Sequence, residues 1–282
     1  MDRKIQLTCA LTGLLLTALY GLGVAGFARM IPVNDPQASV ATVVASYAEH
    51  KTGVLVGMSL LMFGASLMIV WGAAVAVQTR RAAPQHPILF HIQIAAAGTA
   101  CMNGILLCLV GGLAAFRVGS VPGEVTQMLN DLFWLLWVLP GATFEIWCVA
   151  AGLAILADRR AQPVFPRWSG YFSFLVAFSF LPGFTGLLFQ SGPFAYNGLN
   201  PWWIPTIMFF LWVMAMTPLT VRAIHRDASP DPRAALPIAD PAVATELARL
   251  RAEIETERRA RHELTAGIAL DPVRPTVAAA RA

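Results

Sequence analysis

Six long apolar runs, at roughly 7–28, 53–77, 92–116, 132–157, 170–190 and 203–222, constrain this chain more than any motif in it. A helix crossing a bilayer needs about 20 predominantly apolar residues, and each run reaches or approaches that length. Helices rather than barrel strands are implied, because lipid offers no partner to an open N–H or C=O and only a helix of this length satisfies its own backbone. Of 282 residues, 57% are hydrophobic and 13% charged, about half the usual charged share of a soluble domain. The net charge of +4 would point to nucleic acid only if it gathered on one surface; here it is distributed between the runs. The expected fold class is therefore all-α, a polytopic membrane helical bundle of six transmembrane helices, with a short outer amphipathic helix and a cytoplasmic C-terminal helix.

Orientation follows from the cations. One set of ends and loops carries Arg3, Lys4, Arg80, Arg81, Arg159, Arg160, Arg167, Arg222 and Arg226, and the other only Arg29, Lys51 and Arg117. This alternation in phase with the runs places both termini in the cytoplasm by the positive-inside rule. Arg3 and Lys4 before an apolar stretch resemble a secretory signal, but the stretch exceeds the usual 7–15 residue signal core and reads as a retained first span. Trp168 and Tyr171 at one edge, and Phe194, Tyr196, Trp202 and Trp203 at the other, sit where amphipathic rings anchor to the interface.

Outside the spans, Asp35-Pro36 reads as an N-cap followed by a first-turn proline, and Val40, Val43, Val44 and Tyr47 fall on one helical face. A short outer helix is expected there. Beyond the membrane domain, 1–226, residues 227–239 read as linker and 240–264 as a charged helix laced by i,i+4 pairs such as Arg249/Glu253, with 265–282 a disordered tail. Val243, Leu247, Leu250 and Ile254 form a narrow apolar stripe on that helix. It is either a docking surface, for a second copy or a cytoplasmic partner, or simply a solvated face.

The fourth run holds a single ionisable group, Glu145. A carboxyl at a helix centre opposes insertion by roughly 2.5–3.5 kcal/mol, whereas each Leu, Ile, Phe or Val favours it by about 0.3–0.6. Twelve such residues between Leu132 and Leu156 supply on the order of 4–7 kcal/mol, so the segment inserts with its carboxyl in place. Gly141, Glu145, Cys148 and Gly152 share one face lined by small side chains, which turns Glu145 toward protein. Matching depths make Asn103 of the third run its expected partner, and the pair a candidate proton or substrate site. Pro140-Gly141 frees the carbonyl of Leu136 and interrupts the fourth run, and Pro182-Gly183 does the same to the fifth. Paired interruptions are a pointer to transporter sites, though proline and glycine also serve packing.

A second candidate site lies at the outer mouth: Glu49, His50, Lys51, Asp131, Tyr196 and Asn197. Asn130 and Asp131 read as helix N-caps, and Glu49, His50 and Lys51 also suit plain solvation. No histidine lies deep in a run, which disfavours paired axial haem ligation. The four cysteines sit inside apolar stretches without C-x-x-C spacing, and Met58, Met62 and Met68 read as gap-filling side chains. No hydrolase, P-loop, dinucleotide or zinc-protease motif occurs, so no catalytic residue, metal or cofactor is expected.

The stretches "YAEHKTG" (47–53), "LNDLFWLLW" (129–137), "FPRWSGYFSF" (165–174) and "GPFAYNGL" (192–199) resemble a family of uncharacterised six-span bacterial inner-membrane proteins. The resemblance spans roughly residues 30–225, and implies that topology and a bacterial cytoplasmic membrane, but no activity. Two functional readings remain: a small permease-like or proton-coupled protein using Glu145 and Asn103, or a non-transporting sensor or scaffold whose C-terminal helix recruits a partner.

Overall fold

In the computed structural model of the chain, residues 3–227 are described together with Arg249, Leu250, Glu253 and Thr256. The chain divides into two units, Met1–Ser229 and Pro230–Ala282. Among the described residues every regular element is helical, and six helical segments are long and apolar enough to cross a membrane: Arg3–Phe27, Lys51–Ala82, Pro87–Arg117, Gly123–Leu156, Arg167–Leu187 and Leu199–Arg226. The chain is an integral, multi-pass membrane protein. Large apolar side chains such as Phe63, Met102, Leu109, Phe178 (70% exposed) and Leu188 cover its outside, a surface that water would not tolerate over such an area and that lipid solvates.

The first span is α1 (Arg3–Gly21), prolonged by a π-helical stretch, Leu22–Phe27. After α2 (Val40–Glu49) come α3 (Lys51–Ala82) and α4 (Pro87–Arg117), an antiparallel pair. The fourth span is broken into α5 (Gly123–Val138) and α6 (Gly141–Leu156). The fifth begins as α7 (Arg167–Phe180) and tightens into a 3-10 stretch, Leu181–Leu187; the sixth is a π-helical turn, Leu199–Trp203, running into α8 (Ile204–Asp227). α1 packs on α3 and α8, α3 on α4, α4 on α6, α6 on α7, and α7 on α8, so the spans close into a ring.

At its centre three indoles meet edge to face: Trp71 of α3, Trp147 of α6 and Trp212 of α8, with centroids 5.3–5.8 Å apart. Trp71 Nε1 donates to Thr217 Oγ1 at 3.0 Å and Trp212 Nε1 to Ser173 Oγ at 2.9 Å, which removes most of the cost of burying those N–H groups. At the arginine-rich face α3 runs past the expected 77 to Ala82. It can do so because its polar residues are paired: Gln78 donates to Gln6 at 2.8 Å, and Thr79 and Gln93 of α4 exchange hydrogen bonds at 3.0 and 3.2 Å. Beyond α6, Asp158 (3% exposed) accepts from the Arg160 guanidinium at 2.8 Å and from the Val164 N–H at 2.9 Å, folding the loop back on itself. Burial alone would raise the Asp158 carboxyl, but these donors together hold it below the ordinary carboxylate value.

Two further boundaries differ from expectation. The fourth span begins at Gly123, not near 132, so Asn130 and Asp131 lie inside α5 and cap nothing; the polar side chains of its first turns pack on α2 and a loop, which composition alone reads as solvent. Asp35-Pro36 forms a turn, with Asp35 Oδ1 accepting from the Gln37 N–H at 2.9 Å, and α2 starts four residues later under a Ser39 cap that accepts from Thr42 at 3.2 Å. α2 does bury Val43 and Tyr47. In the second unit Arg249, Leu250, Glu253 and Thr256 are helical, with Arg249 Nε 3.8 Å from Glu253; the rest of the linker, charged helix and tail lies outside the described residues.

Candidate functional site

Pro140 has no N–H to offer the Leu136 carbonyl one turn earlier, and the vacancy is filled from another span: Asn103 Nδ2 of α4 donates to Leu136 O at 3.1 Å. The helix restarts at once, Thr143 N–H bonding to Pro140 O at 2.9 Å. The second interruption lies against the first. A β-carbon on Gly183 would stand 2.5 Å from the Val138 carbonyl oxygen, and one on Gly141 3.1 Å from that of Phe180. Each break thus rests its glycine on the other's backbone, a contact that only the missing side chain allows. Pro140, Gly141, Pro182 and Gly183, picked out from sequence as two separate features, form one crossing.

Beside this crossing is a cavity of about 50 Å³, whose walls include Asn103, Leu107, Val138, Phe144, Phe180 and Phe209. Four more of its lining residues, Tyr20, Trp137, Thr206 and Phe210, also line a larger crevice of about 380 Å³ between α1 and α8. Asn103, half-buried, belongs to the cavity as its sequence position suggests.

Glu145 lies elsewhere. The small-residue face it shares packs on α7, not on α4: β-carbons at Gly141 and Gly152 would meet the carbonyl oxygens of Phe180 and Gly170 at 3.1 and 3.0 Å. Glu145 sits at the rim of that contact, half-buried, next to the exposed stripe of Ala142, Ile146 and Leu153. It has no hydrogen bond or ion pair among the described residues and lines neither cavity nor crevice. The structure therefore does not bring Glu145 and Asn103 together; the amide is drawn to the carbonyl that Pro140 left unpaired.

At the arginine-poor face five polar side chains from four segments converge. Asn130, fully buried, accepts from Asn34 at 2.9 Å and from the Tyr47 hydroxyl at 3.4 Å, and donates to Asp131 Oδ1 at 3.1 Å and to the Tyr196 oxygen at 3.5 Å. Tyr196 donates to the same Asp131 oxygen at 3.1 Å. Burial, and then the neighbouring Asp131 carboxylate, push the Tyr47 and Tyr196 phenols well above their ordinary value, so both stay donors. Asp131 and Tyr196 are thus joined as the outer-mouth reading implies. Asn197 is half-buried beside them, while Glu49 and Lys51 are exposed and His50 half-buried at the α2–α3 junction, making no side-chain hydrogen bond among the described residues. The cluster pins α2, α5 and the loop that carries Tyr196 together, and its groups largely satisfy one another.

Sequence reasoning passed over Asn34, Tyr20 and Thr206, and read Tyr47 only as part of an apolar helix face; a hydroxyl inside an otherwise apolar run, as in Tyr20, is the one signal that could have drawn notice. Among the described residues no three His, Cys, Asp or Glu side chains gather to hold a metal ion. Compared with known proteins, the chain matches no family model, no curated protein and no solved structure.

Proposed function

We propose that this chain is a permease-like membrane protein that admits a small molecule to the cavity beside the two crossed helix breaks. Its arginine-rich face lies in the cytoplasm of a bacterial inner membrane, in keeping with the distribution of Arg and Lys between the two faces. The observation behind the reading is the coincidence of three features: two interrupted spans, their direct backbone contact, and an interior cavity at that level. Interrupted helices at mid-bilayer expose backbone groups that a continuous helix would consume, and such groups are tolerated where they line a cavity. Asn103 is the residue we assign to the site: it supports the broken span through Leu136 and keeps its side-chain carbonyl as an acceptor. Glu145 has no part in the mechanism so assigned.

The test is counterflow into proteoliposomes loaded with a mixed metabolite extract and read by mass spectrometry. Wild-type vesicles should enrich one chemical class over protein-free vesicles, and Leu107→Phe, which pushes a ring into the cavity, should abolish that enrichment. Equal profiles for wild-type and empty vesicles would end the permease reading.

A further inference from the structure

We infer that the arginine-rich end of the bundle holds a site for one anionic phospholipid, its phosphate between Arg222 and Arg226 and a chain along the lipid-facing side of α8. The site is separate from the cavity, and nothing in it depends on the permease reading.

Several arginines at this end have partners within the chain. Arg3 pairs with His225, Arg81 donates to Gln78 and Arg160 to Asp158, and Arg80 lies over the Phe90 ring, 5.1 Å from its centre. Arg222 and Arg226 have no hydrogen bond or ion pair among the described residues. They stand one turn apart near the end of α8 and line one hollow of about 320 Å³ against the loop between α6 and α7. Like charges at this spacing repel each other. The dipole at a helix C-terminus tolerates cations, which accounts for the charge but not for a hollow that two cations share. Among the described residues no carboxylate lines that hollow, while Gln162 of the loop adds an amide donor to its wall. A phosphodiester supplies what is missing: one negative charge, and oxygens that accept from a guanidinium fork two at a time.

The depth and the surroundings of the hollow make the carrier of that phosphate a lipid. Trp168, 53% exposed, follows Pro166 of the hollow's wall by two residues, which puts the hollow at the level where amphipathic rings anchor to the interface. Leu211, Met214 and Pro218 are exposed, and each lies three or four residues before the next on a face of α8 that ends at Arg222. From Leu211 to Arg222 the helix rises about 16 Å, roughly half the hydrocarbon thickness of a bilayer. An acyl chain of one leaflet therefore runs the length of this stripe when its phosphate is at Arg222, and Leu219 continues the apolar surface into the hollow. A soluble phosphate would meet the arginines and leave the stripe untouched. Phosphatidylethanolamine would bring an ammonium up to two guanidiniums. Phosphatidylglycerol, with a net negative charge and a hydroxylated headgroup, suits both the hollow and the stripe.

The experiment is native mass spectrometry of the full chain in detergent, titrated with dioleoyl phosphatidylglycerol or, separately, with dioleoyl phosphatidylcholine. The first phosphatidylglycerol should bind wild type about tenfold more tightly than the first phosphatidylcholine, the scale set by two arginines near a membrane surface. Arg222→Gln combined with Arg226→Gln should remove that preference; both side chains are exposed, so the fold is left intact. Ala161→Trp, at an exposed position on the wall, fills the hollow with both arginines in place and should remove it too. Arg159→Gln takes a cation from the same end but outside the hollow, and should keep the preference. No preference in wild type, its survival in the double variant or in Ala161→Trp, or an equal loss in Arg159→Gln overturns the site, since binding would then answer to the overall charge of that end. Displacement of phosphatidylglycerol by millimolar glycerophosphoglycerol, the headgroup without its chains, overturns the lipid assignment and gives the hollow to a soluble phosphate.

Discussion

Replacing Asn103 by Leu isolates the repair of the fourth span. The substitution removes the 3.1 Å hydrogen bond to Leu136 O and leaves that carbonyl without a donor beside the cavity. A buried acceptor stripped of its partner costs about 1–3 kcal/mol in proteins generally, whereas interhelical hydrogen bonds in membranes average about 0.6 and reach about 1.7. The overlap of those ranges sets the expectation at about 1–1.5 kcal/mol of lost stability. Pro140→Leu supplies the missing N–H at the position from which an uninterrupted helix would donate to Leu136, and the φ of −72° at Pro140 is already helical. In that background Asn103→Leu should cost only about 0.5 kcal/mol, because the carbonyl is served from its own helix. The assay is equilibrium unfolding of the four proteins of the cycle, by steric trapping in bicelles. A coupling of about 1 kcal/mol is expected; additivity within about 0.5 kcal/mol would refute the claim that Asn103 stands in for the donor proline removed.

Three further outcomes follow from the same structure. Gly183→Ala should sharply lower the yield of folded protein, since its β-carbon would lie 2.5 Å from the Val138 carbonyl oxygen, while Gly21→Ala, with nothing within 4 Å, should behave as wild type on size exclusion. Asp158 is held below the ordinary carboxylate value by its Arg160 and Val164 donors. Its contribution to stability is therefore complete above about pH 5 and lost as the pH falls through the ordinary carboxylate value toward the lower folded one; thermal unfolding should be flat from pH 8 to about 5 and decline below, and Asp158→Asn should flatten that acid limb. Glu145→Gln should leave counterflow unchanged, as the residue lines no cavity, and a loss of flux in that variant would return the carboxyl to the mechanism.

The six crossings were legible because the demand of lipid is local: each run must supply its own apolar length and its own backbone partners. The break at Pro140 was legible for the same reason, since a proline lacks its N–H whatever surrounds it. Where the freed carbonyl would find a donor was not, and matching by depth sent Asn103 to Glu145 when the nearer need was Leu136. The small-residue face of α6 was also visible, but not which neighbour it serves, because α4 and α7 are equally adjacent in the order of a ring. Asn130 read as a cap because polar residues before an apolar run usually mark a helix start; its true company of Asn34, Tyr47 and Tyr196 comes from segments up to 96 residues away in the chain, as with the Asn34 bond.

The crossing of the two breaks has a mechanical side. With Gly183 laid on the Val138 carbonyl and Gly141 on that of Phe180, main chain bears on main chain and no side chain stands between to change rotamer and absorb a displacement. A tilt of α5 relative to α6 must push the 3-10 stretch after α7 at the same moment. Two joints that share a bearing turn together, so the fourth and fifth spans have one hinge between them.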